Sequence, residues 1–381
     1  MRTQPLALNM DSKVEAWGVR ALVVLAALGA LPIASAHGGE HTPAYPQWLP
    51  LVVLFGGIGI VATSVFFGRT AWNHQRTVAL WGVFAGLFVS VVGAVGLVQF
   101  SVIETVRAAQ APLAQEWYLP LTLAAGTIIA VGSVLAGRIK WPNRPRYAGL
   151  GLLLGAWVAY PAVMGAFGTR THPLGYALVF ALPVALGYII WRDARESLSL
   201  ALRDRPARWF GVGNGVLAGL FFAFSMGMLS FIPEHGIGVP DGAFVTTIPV
   251  ANPLVYWTAV EFNFPSVPLS GVLSLGMVIQ IGTVAILVGL NAAVIAFHWQ
   301  GATKTDSREI TSGTATVAVP AAFCCCGPLI SELAVVSVGP SAAAPLYWLF
   351  VDLASPIGAL FFVFSVALLA GNLAYFGMQN E

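Results

Sequence analysis

The stretch QWLPLVVLFGGIGIVATSVFFG, Gln47–Gly68, contains no charged side chain and is long enough to cross a lipid bilayer. A transmembrane α-helix needs about 20 consecutive, mainly apolar residues. The whole chain of 381 residues has a similar character, since 57% of its residues are hydrophobic and only 9% are charged. Soluble proteins carry about 25% charged residues. The sequence therefore predicts a multi-pass membrane protein, folded as an all-α bundle in the lipid bilayer.

Eight further apolar stretches predict a domain of about nine transmembrane helices between residues 47 and 376. Several of them are rich in glycine and alanine, which allow helices to pack closely in lipid. The predicted helices are Gln47–Gly68, Thr77–Phe100, Trp117–Gly137, Tyr147–Gly168, Leu174–Trp191, Phe210–Ile232, Pro268–Trp299, Gly313–Gly339 and Ala344–Phe376.

Residues 1–36 have the three parts of a secretory signal peptide. Arg2, Lys13 and Arg20 precede an apolar stretch, which ends in an Ala-Ser-Ala cleavage pattern at Ala36. We expect cleavage there, which would leave residues 37–46 as an extracytoplasmic leader. An uncleaved signal anchor is the alternative.

Basic residues predict the orientation, because cytoplasmic loops are enriched in Lys and Arg. If the mature N-terminus lies outside, only Arg107 and Arg170 fall in outer connections. The C-terminus then lies inside. The basic residues of the inner connections are Arg69, Arg76, Arg138, Lys140, Arg144, Arg146, Arg192, Arg195, Arg203, Arg205, Arg208, Lys304 and Arg308.

The longest connection, residues 233–267, contains no Lys or Arg and is predicted to lie outside. Within it, Asn252 followed by Pro253 is typical of a helix start, with an N-cap and then proline at the first helical position. The following apolar residues, 254–262, would then lie on the membrane or dip into it.

Several metal-binding side chains fall on the predicted outer side. They are His172 and His235 in connections, and Met226 and Met228 at the end of the sixth predicted helix. Imidazole and thioether ligands together suit copper, whereas thiolates select Cu(I), zinc and other soft ions. Each of these residues could equally be a solvated loop histidine or a methionine that fills a gap between helices.

Cleavage after Ala36 would produce the N-terminus His37-Gly38-Gly39-Glu40-His41. This resembles the histidine brace of copper-handling periplasmic proteins, in which an N-terminal amine and two imidazoles bind Cu(II). The resemblance implies copper capture by His37 and His41. A flexible polar leader without a ligand is the alternative.

The three cysteines of the chain, Cys324, Cys325 and Cys326, are consecutive and lie within the eighth predicted helix. Side chains of neighbouring residues on a regular helix are about 100° apart, so three consecutive thiols could not face one ion. Pro328 removes a helical hydrogen bond and clashes with the preceding turn. We therefore expect a kink that lets two thiolates point to the same ion near the middle of the membrane.

The run Cys325-Cys326-Gly327-Pro328-Leu329 is similar to the paired-cysteine helix of bacterial mercuric-ion transport proteins. In that family the membrane cysteine pair receives the ion. The resemblance covers one helix of nine, and it implies that Cys325 and Cys326 accept a soft metal.

Two acidic residues accompany the cysteines: Glu332 on the same predicted helix and Asp352 on the last one. Ionisable groups within transmembrane helices are costly and usually face a pathway or the bundle interior. We expect them to line a cation pathway. The alternative is that both merely satisfy polar groups between helices.

Taken together, these patterns predict a permease or delivery protein of the cell membrane for a soft metal, with copper favoured over other ions. Two alternatives stay open: a structural or assembly subunit of a membrane complex, and a thiol or copper oxidoreductase subunit. A protein partner or an oligomer is compatible with each. No phosphate-binding loop and no basic run for nucleic acid occurs in the sequence. An ATP-driven pump and a nucleic-acid-binding protein are therefore not favoured.

Overall fold

The computed structural model describes residues 48–70, 73–100, 115–164, 171–231, 242–267, 269–301, 327–338 and 356–378. Within these ranges the chain forms ten α-helices and one small β-sheet. The helices are α1 Trp48–Thr70, α2 Asn73–Phe100, α3 Tyr118–Lys140, α4 Pro145–Met164, α5 Pro173–Asp193, α6 Arg195–Arg203, α7 Arg205–Ser225, α8 Leu275–Gly301, α9 Gly327–Val338 and α10 Pro356–Met378. The strands are β1 Leu229–Ser230, β2 Phe244–Val250, β3 Trp257–Phe264 and β4 Leu269–Ser274.

Eight of the described helices, all except α6 and α9, are long and apolar enough to cross a membrane. This confirms the predicted all-α, multi-pass helical bundle. Each of the eight matches one of the predicted segments. The remaining predicted segment, Gly313–Gly339, is described only as the twelve-residue helix α9.

Close approach between backbones holds the neighbouring helices α3 and α4 together. A Cβ atom added to Gly126 would lie 2.6 Å from the carbonyl oxygen of Gly155. A Cβ atom added to Gly155 would lie at the same distance from the carbonyl oxygen of Gly126. The pair α7 and α8 packs in the same way, through Gly211 against the backbone of Gly289. Small residues at helix interfaces are what permits such packing in lipid.

The main apolar core lies between α4, α5, α8 and α10. Val158, Val179 and Leu373 are fully buried there, while large apolar side chains such as Ile128 and Val184 are about 70% exposed on the outside of the bundle. Exposed apolar side chains of this kind suit a surface that faces lipid rather than water.

Several basic residues lie at one end of the bundle and form polar contacts there, and we call this the basic end. Arg146 at the start of α4 forms a salt bridge with Asp193 at the end of α5, and Arg144 lies 3.4 Å from the same carboxylate. Gln300, near the end of α8, donates to Asp204, which caps α7. The short helix α6 connects α5 to α7 at this end. The side of the membrane that the basic end faces stays a prediction.

The four strands form an antiparallel sheet of order β1-β4-β3-β2 at the opposite end, which we call the sheet end. The prediction of a helix start at Asn252-Pro253 is wrong. That peptide bond is cis, Leu254 has a φ of 58°, and the chain continues as strand β3. The sixth predicted helix ends earlier than expected, at Ser225, and the seventh segment begins as strand β4 before α8 starts at Leu275.

Candidate functional site

Met226 and Met228 follow the last residue of α7, at the sheet end. The backbone N–H of Met226 donates to the carbonyl of Phe222 and ends the helix, and Gly227 has a φ of 71°. This turn places the two methionines in different surroundings. Met226 is 36% exposed, whereas Met228 is 8% exposed and belongs to the main apolar core. Of the two thioethers, that of Met226 is the more accessible.

The side chain of Gln99, at the end of α2, fixes the position of this turn. Its amide nitrogen donates to the carbonyl of Phe224 at 2.9 Å. Its oxygen accepts from the Ser230 hydroxyl at 2.9 Å and from the Phe231 backbone N–H at 3.1 Å. One glutamine therefore joins α2, the end of α7 and strand β1.

His172 is the N-cap of α5, immediately before Pro173. Its Nδ1 accepts a hydrogen bond from the backbone N–H of Leu174 at 3.2 Å. The first N–H groups of a helix have no partner within the helix, and a cap satisfies one of them. His172 is exposed. With Nδ1 engaged in the cap, the Nε2 atom is the one available to a metal.

The corner between β2 and β3 packs against the start of α5, close to this histidine in the chain. The phenol of Tyr176 donates to the carbonyl of Tyr256, and the indole of Trp257 donates to the carbonyl of Pro253 at 3.0 Å. Val255, which is fully buried, lies against Gly175. The sheet is thus anchored to the same helix that His172 caps.

Two further methionines, Met164 and Met277, lie at the sheet end on α4 and α8. Met277 is 6% exposed and is part of the main apolar core, and Met164 packs against that core. With Met228, three thioethers therefore contact one continuous apolar cluster near this end of the bundle. A methionine in such a cluster can fill space between helices, and its sulfur is also a soft ligand.

The cysteine run, Cys324 to Cys326, lies outside the described residues, directly before α9. Pro328 lies in the first described turn of α9. Leu329 is 7% exposed within the main apolar core, and Ser331 is fully buried. The start of α9 is therefore packed against the bundle on the side of Leu329 and Ser331, whereas Ser337 near its end is exposed.

Other predicted site residues lie outside the described part of the chain. They are His37, His41, His235 and Asp352. Glu332 belongs to α9, but its side chain is not described. Among the described residues, the structure brings together no group of three His, Cys, Asp or Glu side chains that could hold a metal ion.

Sequence reasoning missed two buried polar contacts that link distant parts of the chain. Asp193, whose side chain is 1% exposed, pairs with Arg144 and Arg146. Asn291, which is fully buried, bonds to Asn372 across the interface of α8 and α10. A signal was present in each case, since an aspartate or asparagine at the end of, or within, an apolar helix needs a polar partner.

Comparisons of the chain with protein-family models, with curated proteins and with solved structures found no match.

Proposed function

We propose that this protein is a permease or delivery protein of the cell membrane for a soft transition metal, with copper as its first candidate cargo. The observation that supports this most directly is the burial of two residues near the start of α9. Leu329 belongs to the apolar core and Ser331 is fully buried, and both follow Cys326 closely in the chain. Cysteines that directly precede a helix with buried residues are better placed for a pathway inside the protein than cysteines next to a helix that faces lipid.

The methionines at the sheet end support the same proposal. Met228 and Met277 belong to the apolar cluster that also contains Leu329, and Met164 packs against it. Thioethers and thiolates are both ligands that Cu(I) prefers. Soft donors at the sheet end and in the cysteine run would give the ion a succession of similar ligands.

In the proposed sequence of events, His37 and His41 of the processed N-terminus, together with His172 and His235, collect the ion outside. Met226, which is partly exposed, takes it next at the sheet end, followed by the buried Met228. Glu332 and Asp352 line the approach. Two thiolates among Cys324, Cys325 and Cys326 then accept it within the membrane. Signal-peptide cleavage after Ala36 belongs to this proposal, because it creates the amine of the brace.

The proposal is tested by Cu(I) binding to the purified full-length protein under reducing conditions. The test variant carries Cys324→Ser, Cys325→Ser and Cys326→Ser together. We expect it to lose most of the tightly bound Cu(I), as measured by competition with a chromogenic chelator and by elemental analysis. Uptake of copper into vesicles that contain the protein should fall in parallel.

A matched control adds Ser337→Cys to the triple variant. Ser337 lies on the exposed side of α9, so this change restores a thiol to the chain but not at positions 324 to 326. The added thiol should not restore Cu(I) binding. Equal Cu(I) content in the wild type and the triple variant, with both proteins folded, would contradict the proposal and favour a structural subunit.

A further inference from the structure

The connection from α5 through α6 to α7 concentrates arginine at the surface of the basic end. Five arginines fall within residues 192–208, and all five are exposed. They form two groups, one at each end of α6: Arg192 and Arg195, and Arg203, Arg205 and Arg208. Because a helix rises 1.5 Å per residue, the two groups are separated by about 12 Å along α6. We call these five residues the arginine surface.

Carboxylates do not neutralise the arginine surface. In the part of the chain that the structure describes, none of its five arginines forms a salt bridge. The same stretch contains three acidic residues. Asp193 is buried in its salt bridges with two other arginines, Asp204 caps α7, and Glu196 is exposed. Even if all three are counted against the five arginines, an excess of positive charge remains.

Two exposed tryptophans flank the arginine surface. Trp191, in the last turn of α5, is 62% exposed, and Trp209, near the start of α7, is 53% exposed. The guanidinium of Arg195 lies 4.5 Å from the centroid of the Trp191 ring, which keeps this charge beside the indole. Tryptophan is enriched where a membrane protein crosses the lipid–water interface. The neighbouring arginines therefore lie at the depth of the lipid headgroups.

The helix α6 presents apolar as well as charged side chains on its outer side. Leu198 and Ala201 are buried against the bundle, whereas Leu200 and Leu202 are exposed close to Arg203. Exposed leucines next to arginine suit the boundary between headgroups and acyl chains. An acidic protein would complement the charge of this surface but not its leucines and tryptophans. The combination favours a lipid leaflet as the partner.

We propose that the arginine surface binds the headgroups of anionic phospholipids in the leaflet that meets the basic end. Arginine forms strong, charge-assisted hydrogen bonds with phosphate, and its planar guanidinium can donate two N–H groups at once. The excess positive charge gives the preference for a headgroup with a net negative charge. The exposed leucines of α6 would contact the upper part of the acyl chains. The metal proposal plays no part in this inference.

The test is native mass spectrometry of the full-length protein in neutral detergent, with phosphatidylglycerol and phosphatidylcholine in competition. Both lipids carry a phosphate, but only phosphatidylglycerol has a net negative charge, and the wild type should prefer it. Arg195→Gln/Arg203→Gln removes one charge from each end of α6. This variant should weaken the preference by about 25-fold, since each basic residue near an anionic surface contributes about fivefold.

Two further double variants serve as controls. Arg138→Gln/Lys140→Gln removes two exposed charges from the last turn of α3, which is also at the basic end but outside the arginine surface. It should prefer phosphatidylglycerol as the wild type does. Arg195→Lys/Arg203→Lys keeps both charges of the arginine surface and should keep most of the preference.

Equal binding of the two lipids by the wild type would overturn the proposal. So would an unchanged preference in Arg195→Gln/Arg203→Gln, with thermal unfolding showing that the variant is folded. An equal loss in the α3 control would also overturn it, because the preference would then arise from the total charge of the basic end. The single variants Arg195→Gln and Arg203→Gln repeat the test with a smaller change, and each should lose about fivefold.

Discussion

Asn372 on α10 donates its side-chain amide to the side-chain oxygen of Asn291 on α8, at 2.8 Å. Asn291 in turn donates to the backbone carbonyl of Leu369 at 3.1 Å. Asn291 is fully buried in the apolar core. These two contacts join the last helix to α8 through hydrogen bonds as well as apolar packing.

Replacing Asn372 with alanine should lower the free energy of unfolding by about 1 kcal/mol, because hydrogen bonds between transmembrane helices contribute about 0.6–1.7 kcal/mol. The measurement is reversible unfolding of the purified protein in detergent. Thr127→Ala is the control, since its exposed hydroxyl donates to the carbonyl of Leu123 within the same helix. A double-mutant cycle with Asn291→Ala that gave no coupling energy would contradict the importance of this contact.

The buried salt bridges at the basic end should contribute strongly to stability. Removing the partners of a buried charge leaves it uncompensated and costs about 3–5 kcal/mol. We expect this loss for the double variant Arg144→Gln/Arg146→Gln, because the Asp193 side chain is 1% exposed and both arginines contact it. Glu196→Gln, an exposed residue of α6, should change stability by less than about 0.5 kcal/mol.

The triple variant Arg144→Gln/Arg146→Gln/Asp193→Asn provides the decisive comparison. It removes all three charges, so it should be more stable than the double variant. Thermal unfolding of the wild type, the double variant, the triple variant and Glu196→Gln measures the difference. Equal stability of the double and triple variants would mean that the Asp193 charge is not what makes the loss of the two arginines costly.

The contact of α3 with α4 should tolerate no side chain at Gly126. A Cβ at this position would lie 2.6 Å from the backbone oxygen of Gly155 and 2.7 Å from the backbone nitrogen of Ala159. Since backbone atoms cannot rotate away, Gly126→Val should cost about 1–3 kcal/mol or more. Gly132→Ala, on the same helix with no atom within 4 Å, should be neutral or stabilising. Equal thermal stability of both variants would contradict this packing.

Two variants of His172 separate its cap from a role as ligand. Asparagine is a good N-cap, so His172→Asn should keep the stability of the wild type, whereas His172→Ala should lose about 1 kcal/mol. If Nε2 binds the incoming ion, both variants should take up copper more slowly. Normal uptake by a folded His172→Asn protein would assign this residue to the cap alone.

The helical bundle could be predicted well from the sequence, but the sheet could not. The face of β3 that packs inward carries Trp257, Ala259 and Asn263, while Val260 and Phe264 on its other face are about 40% exposed. Polar residues inside and apolar residues outside obscure the alternation that normally marks a strand. The β-branched residues of β2, such as Thr246 and Thr247, were the available signal.

Of the candidate site, sequence reasoning identified the donor types but not their surroundings. It grouped Met226 with Met228, although one thioether is partly exposed and the other is buried. It also treated His172 as a loop residue, although its ring caps α5. Two residues that are close together in a turn can differ in burial, because their exposure depends on neighbours that are far away in the sequence.

The sequence by itself determined where the chain forms apolar helices of membrane-spanning length. Each such helix satisfies its own backbone hydrogen bonds, so local length and composition are sufficient to specify it. The tertiary structure alone decided which polar side chains meet. Asp193 pairs with Arg146, 47 residues away, and Asn291 with Asn372, 81 residues away. Those contacts depend on how the helices pack, because buried polar groups are stable only where packing supplies a partner.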